Sequence, residues 1–190
     1  PTFLQFLTDI TEGRPELVQY LQRAIGYSLT GDTREQCLFF LYGTGCNGKS
    51  TLLECIMSLF GDYSQKAEMA TFMLKSNDGG PRNDIAALRA ARFVTASEAE
   101  GGKRLAEGLI KEITGGDTMR ARFLFKEAFE FRPQLKLFLA ANYKPVIRGT
   151  DDGIWRRIKL IQFTGKITDA KKDRDLPRKL RAELPGAVRP

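Results

Sequence analysis

Gly43, Gly48, Lys49 and Ser50 fall at the spacing GxxxxGK[ST] within LYGTGCNGKSTLL, residues 41–53. That spacing suits a phosphate cradle. Glycines let the backbone wrap so that N–H groups point inward, and a helix beginning directly after the loop adds positive potential at the same place. Lys49 is placed to reach the β and γ phosphates of ATP, and the Ser50 hydroxyl to hold Mg2+. Thr44, Gly45, Cys46 and Asn47 form the body of the loop and Thr51 continues it, so the candidate nucleotide-binding set runs without a gap from Gly43 to Thr51. The bland competitor is a glycine-rich turn with a solvated lysine.

Hydrolysis needs more than a cradle. A carboxylate at the end of a neighbouring strand must support the metal's water shell and polarise the attacking water. RFVTASEAEGG offers Glu98 for the metal-side or water-activating role, with Glu100 as its helper. An acidic first helical turn would look the same and is favourable at a positive helix end. Asn142, closing LFLAANYKP, offers an amide able to orient the lytic water, although Asn before a loop containing Pro145 is also a common turn residue.

These residues need a scaffold that brings strand ends together. CLFFLYG is an unbroken apolar run stopped by glycine, the pattern of a strand buried on both faces. KSTLLECIMSLFG follows with helical spacing and a terminal glycine. ARFVTAS and QLKLFLAAN read as further buried strands, RRIKLIQF as a weaker fourth, and RLAEGLIKEITGG as a helix between the second and third. Strands separated by helices predict an α/β fold, a mostly parallel sheet with helices on both faces. DTMRARFLFKEAFEFRP alternates and suits a hairpin, with Arg120, Arg122 and Leu124 on one face and Phe123 and Phe125 on the other, the phenylalanines facing the core. Ahead of the sheet, apolar residues at intervals of three and four predict two short helices joined at Gly13 and Arg14. The expected organisation is a helical preface over 1–30, a nucleotide-binding core over 31–165 and a basic tail over 166–190, to which no structure of its own is assigned.

Composition narrows the classes. Thirty basic against 23 acidic residues give a net charge of +7, which favours an anionic partner such as nucleic acid or an acidic membrane surface. Cys37, Cys46 and Cys55 lie nine residues apart and the chain has no histidine, which argues against a disulfide scaffold or a zinc site and fits reduced, cytoplasmic surroundings. No apolar run reaches the length of a membrane span. Opening on Pro1 and closing on LPGAVRP, the chain reads as a segment of a longer protein.

Taken in order, LTGDTREQCLFFLYGTGCNGKST, ASEAEGG, IKEITGGDTMRARFLFKEAFEFRP, LKLFLAANYKP and DDGIWRRIKLIQF resemble the superfamily 3 helicases, in particular the phage and plasmid primase-helicase family, over roughly residues 3–185. The resemblance implies an AAA-type P-loop ATPase core assembled as a ring, usually a hexamer, that translocates on single-stranded DNA during replication in the cytoplasm of a host cell or in a viral replication compartment. It gives Lys49 and Ser50 the phosphate and magnesium roles, Glu98 with Glu100 the carboxylate motif, and Asn142 the polar sensor. One arginine of GIWRRIKLIQF becomes the finger that reaches into the neighbouring subunit's nucleotide. Arg157 is preferred because it directly precedes the strand, as the family's finger does, with Arg156 as the alternative.

The family's hairpin region lines the central channel, which implies DNA contacts for Arg120, Arg122 and Lys126. Lys111, on the preceding helix, would serve the channel or the subunit interface. Any primase or initiator element must lie outside this chain. Two other readings compete: an ATP-binding, DNA-associated scaffold or packaging adaptor that does not unwind, and a small-molecule kinase, which lacks a recognisable lid and acceptor pocket.

Overall fold

The structure, a computed structural model, describes residues 2–75, 82–98, 103–168 and 172–187. Its centre is a parallel sheet of five strands: β1 (Leu38–Tyr42), β2 (Ser64–Lys66), β3 (Phe93–Glu98), β6 (Lys136–Ala141) and β7 (Ile158–Gln162), in the order β2-β3-β6-β1-β7. The remaining strands, β4 (Met119–Arg122) and β5 (Ala128–Phe131), form a separate antiparallel hairpin. The α/β expectation and the four predicted buried strands therefore correspond to the sheet. β2 had no sequence signal: its residues, SQK, are polar and line the sheet's edge.

Side chains alternate across a strand, so a sheet covered on both faces needs apolar residues at every position. In β1, Leu38 and Phe40 join one core while Phe39 and Leu41 join the other. The second core is closed by α1 (Thr2–Ile10), α2 (Pro15–Leu29), α3 (Lys49–Phe60) and α7 (Leu176–Ala187). Phe39, Phe138, Phe93 and Phe60 stack through it at centroid spacings of 4.6, 4.7 and 4.9 Å, tying β1, β6 and β3 to α3. The first core is closed by α4 (Asn83–Ala86), α5 (Glu107–Gly115), α6 (Asp152–Trp155) and the hairpin.

The tail, to which no structure was assigned, carries a helix: α7 buries Leu180, and Glu183 accepts hydrogen bonds from the Thr2 and Phe3 amides at 2.7 and 2.9 Å, capping α1. Two local expectations are corrected. α5 starts at Glu107 rather than Arg104, because Arg104 and Leu105 bridge in extended form to Val146 and Met73. The hairpin's strand ends at Arg122, and Phe125 turns at φ 60° with 94% of its surface exposed, so it does not face the core.

Candidate functional site

Residues 43–48 connect β1 to α3 between the tips of β6 and β7. Crevices at strand ends where the connection changes direction are the usual ligand sites of open α/β sheets. The loop winds through left-handed conformations at Gly45 (φ 99°), Cys46 (φ 48°) and Gly48 (φ 80°). Gly43 admits no side chain, since a Cβ there would lie 2.3 Å from Asn47 Nδ2 and 2.4 Å from the Phe163 carbonyl. At Gly48 a Cβ would meet Ile10 Cγ2 at 2.4 Å, so α1 braces the loop from behind. The Ile167 amide donates to the Cys46 carbonyl at 2.7 Å and fastens the other flank.

Lys49 is buried, and its Nζ donates to the Gly43 carbonyl at 2.7 Å, Asn47 Oδ1 at 2.9 Å and Asn142 Oδ1 at 3.5 Å. All three acceptors are neutral oxygens. Burial lowers the lysine's pKa from its ordinary value, because the ammonium has lost water without gaining an ion-pair partner among the described residues. α3 starts at this lysine with no acidic residue in its first turn and no side-chain cap. Its first N–H groups thus keep the partial positive charge that favours an anion. Ser50 is exposed at the mouth, and the loop, Ser97 and Asn142 line a cleft of about 500 Å³.

Strand register sets the other candidates. Ala141 pairs with Tyr42 on one side and with Glu98 on the other, so the residues that precede Gly43 and Asn142 stand level with Glu98. Asn142 meets Lys49 directly. Glu98 is described as the last residue of β3, and Glu100 lies outside the described residues.

The two arginines sit elsewhere. Arg156 and Arg157 immediately precede β7, and the Arg157 carbonyl accepts from the Leu38 amide at the start of β1. They therefore lie at the opposite end of β1 from the glycine-rich loop. Arg157 is 8% exposed and turned inward, donating to Thr114 Oγ1 at 3.1 Å and to the Gly153 carbonyl. Arg156 is exposed and donates to Gln36 Oε1. Adjacency to the strand favoured Arg157, but burial leaves Arg156 as the arginine of the pair able to meet a second molecule.

On the hairpin, Met119 and Ala121 point inward while Arg120 and Arg122 point out. Glu130 stands opposite Arg120 in the ladder, and Ala128 opposite Arg122. Phe123, Leu124, Phe125 and Lys126 form an exposed tip, held by the Leu124 amide donating to Asn83 Oδ1 at 2.6 Å. Lys111 does not join this group: its Nζ lies 2.8 Å from Asp151, which that contact holds below the usual carboxylate pKa range. Sequence reasoning missed Gln36 and placed Phe125 towards the core; the left-handed backbone of both (φ 46° and 60°) is visible only in the fold.

The chain belongs to a family described as being of unknown function, DUF5906, whose profile matches residues 41–157. It is 34% identical over 150 residues to "Putative helicase L207/L206" of Acanthamoeba polyphaga mimivirus, covering 78% of this chain and 16% of that protein. It is 29% identical over 177 residues to "Primase D5" of fowlpox virus, covering 89% of this chain and 22% of that one. The chain thus spans about a fifth of the length of these curated relatives. Among solved structures, the apo C-terminal region of NrS-1 shares the fold, with a TM-score of 0.75 at 11% identity over 97% of this chain and 42% of that one. Among the described residues, no helix is long and apolar enough to cross a membrane, and no group of metal-ligating side chains stands ready-made.

Proposed function

We propose that this chain is the ATP-hydrolysing core of a superfamily 3 DNA helicase, working as a ring, with a hexamer expected, on single-stranded DNA in viral, phage or plasmid replication. The observation that carries the reading is Lys49, a buried ammonium held by neutral oxygens at the mouth of a tightly wound loop. Such a cation, facing an uncapped helix start, is matched to phosphate. The names of the viral relatives, helicase and primase, point to the same use.

A nucleoside triphosphate fits the residues present: the loop backbone and Lys49 would hold its phosphates, and Ser50 with Glu98 would hold Mg2+. When bound, ATP supplies the free energy of phosphoanhydride hydrolysis. Lys49 would exchange its neutral oxygens for phosphate charge, and Asn142, already within 3.5 Å of Lys49, would orient water. Arg156 cannot serve the same nucleotide. It lies at the other end of a five-residue strand, about 17 Å away at roughly 3.3 Å per residue. A guanidinium so placed stabilises phosphoryl charge only on a neighbouring copy, which makes hydrolysis depend on assembly.

Arg120, Arg122 and Lys126 would grip the DNA backbone, which positions a strand without reading its sequence. Lys111, already paired to Asp151, is assigned instead to bracing the start of α6, the short helix that the two arginines follow.

Steady-state ATP hydrolysis with and without single-stranded DNA, in wild type and Lys49→Ala, tests the proposal. DNA-stimulated turnover that disappears in the variant supports a motor. Tight nucleotide binding with a slow rate indifferent to DNA would instead favour a nucleotide-switched scaffold.

A further inference from the structure

Gln36 lies in the linker between α2 and β1, at φ 46°, a left-handed conformation that residues with side chains seldom adopt. Such a conformation persists where surrounding contacts over-determine it, and it concentrates at functional positions. The contacts here are specific. Gln36 Nε2 donates to the Gly115 carbonyl at 3.1 Å, while Oε1 accepts from Arg156 Nη2 and, at 3.5 Å, from Arg157 Nη2. The amide has one workable orientation, because guanidinium groups only donate and a carbonyl only accepts.

One amide oxygen therefore holds two guanidinium groups together. Like charges at this range repel, and among the described residues neither arginine is ion-paired to a carboxylate. Burial, and then the charge of Arg156, lower the pKa of Arg157, although Asp117 and Asp151 act the other way. Arg157 is fixed on its remaining sides by Thr114 and the Gly153 carbonyl. Among the described residues Arg156 bonds Gln36 through Nη2, leaving Nε and Nη1 for another acceptor.

We propose that Gln36 is a positioning residue: it locks Arg157 as a buried strut and uses it to hold the exposed Arg156 outward, towards a phosphate group carried by a second copy of the chain. This rests on the reading of the chain as an assembled ATPase in which Arg156 acts across the interface. Arg157 is then structural, and the linker strain at Gln36 is part of presenting its neighbour.

Complementation in the full-length protein separates the two levels. Lys49→Ala disables a subunit's own phosphate site and leaves its arginines intact, whereas Arg156→Ala does the reverse. Gln36→Met keeps the side chain's length and removes both hydrogen-bonding atoms. Alone, Gln36→Met is expected to lower kcat about 10- to 100-fold, the range for a misplaced catalytic group, with nucleotide Kd unchanged. Mixed with Lys49→Ala subunits, both Gln36→Met and Arg156→Ala should recover activity, because intact arginines then face intact phosphate sites. Recovery for Arg156→Ala beside undiminished activity of unmixed Gln36→Met would overturn the role of Gln36 alone. Inactive Gln36→Met that no mixture rescues would make it a general structural residue. Failure of Arg156→Ala itself to recover would remove the cross-interface reading, and the role of Gln36 with it.

Discussion

Lys49 and Arg157 are both buried cations without an ion-pair partner among the described residues, yet they stand at opposite ends of the parallel sheet, Lys49 beyond the end of β1 and Arg157 before the start of β7, in different surroundings. Lys49 opens onto a cleft and touches three oxygens that a phosphate could replace. Arg157 is enclosed, and its partners, Thr114, Gly153 and Gln36, belong to the fold. Burial alone thus does not mark a chemical group. What distinguishes Lys49 is the open face and the helix start beside it; what distinguishes Arg157 is that its exposed neighbour depends on it.

The largest effect expected from this contrast is at the phosphate end. Lys49→Ala should reduce ATP hydrolysis to background while thermal stability changes little, because its three acceptors remain at the wall of an open cleft; calorimetry alongside the rate measurement checks both. At the other end the two arginines should separate. Arg156→Ala is expected to lower turnover by about 10³-fold, the low end of the range for an arginine acting on a transferring phosphoryl group, with an unchanged melting temperature. Arg157→Ala should instead lower stability by about 1–3 kcal/mol, since it strands buried polar partners, as read by denaturant unfolding. Equal stability losses for the two variants would erase the distinction.

A smaller effect belongs to the hairpin. Phe125→Ala should weaken single-stranded DNA binding by about 1 kcal/mol or more if its exposed ring stacks on bases. Arg122→Ala should mainly flatten the salt dependence of binding, because it removes a phosphate contact. Fluorescence anisotropy across salt concentrations distinguishes the two.

The smallest effect concerns a third buried cation, Lys136, at the start of β6. Its ammonium donates to the Thr30 carbonyl at 2.5 Å and lies 4.4 Å from the Tyr27 ring centroid. Burial lowers its pKa to about 8, against the opposing pull of Asp32 and Cys37. A lysine with a depressed folded pKa binds fewer protons than its unfolded counterpart between pH 8 and the ordinary value of 10.5. Its contribution to stability therefore rises with pH through that window. Cys37, whose thiol pKa is raised by burial, acts with the opposite sign above its ordinary value of 9. The clean measurement is the difference between wild type and Lys136→Met in urea unfolding from pH 7.5 to 10.5, where the wild type should gain relative to the variant.

The glycine-rich loop was legible because Gly43, Gly48, Lys49 and Ser50 answer backbone or charge requirements that only a few residue types meet, and the flanking strand and helix carry strong periodicity. The parallel sheet was legible for the same reason, in unbroken apolar runs such as LFFLY and KLFLAA. The rest depended on contacts between distant segments. Nothing in SQK marks β2, which forms because β3 offers an open edge at Phe93, Val94 and Thr95. α7 is held by Leu180 in the core and by Glu183 on the first turn of α1, at separations in sequence that no local pattern reports. Alternation beyond Arg122 assumed a longer strand, whereas Phe125 turns the chain. Which of two adjacent arginines faces outward was decided by Gln36 and Thr114, which lie about 120 and 43 residues away in the chain.

In the proposed ring one copy's glycine-rich loop works with another copy's Arg156. ATP hydrolysis per subunit, followed across protein concentration with and without single-stranded DNA in wild type and Arg156→Ala, decides whether it does. The expected result is a rate that climbs with concentration and with DNA in the wild type and stays flat and low in the variant, which still binds nucleotide. A rate per subunit that is independent of concentration and unaffected by Arg156→Ala would rule out a role for Arg156 across the interface.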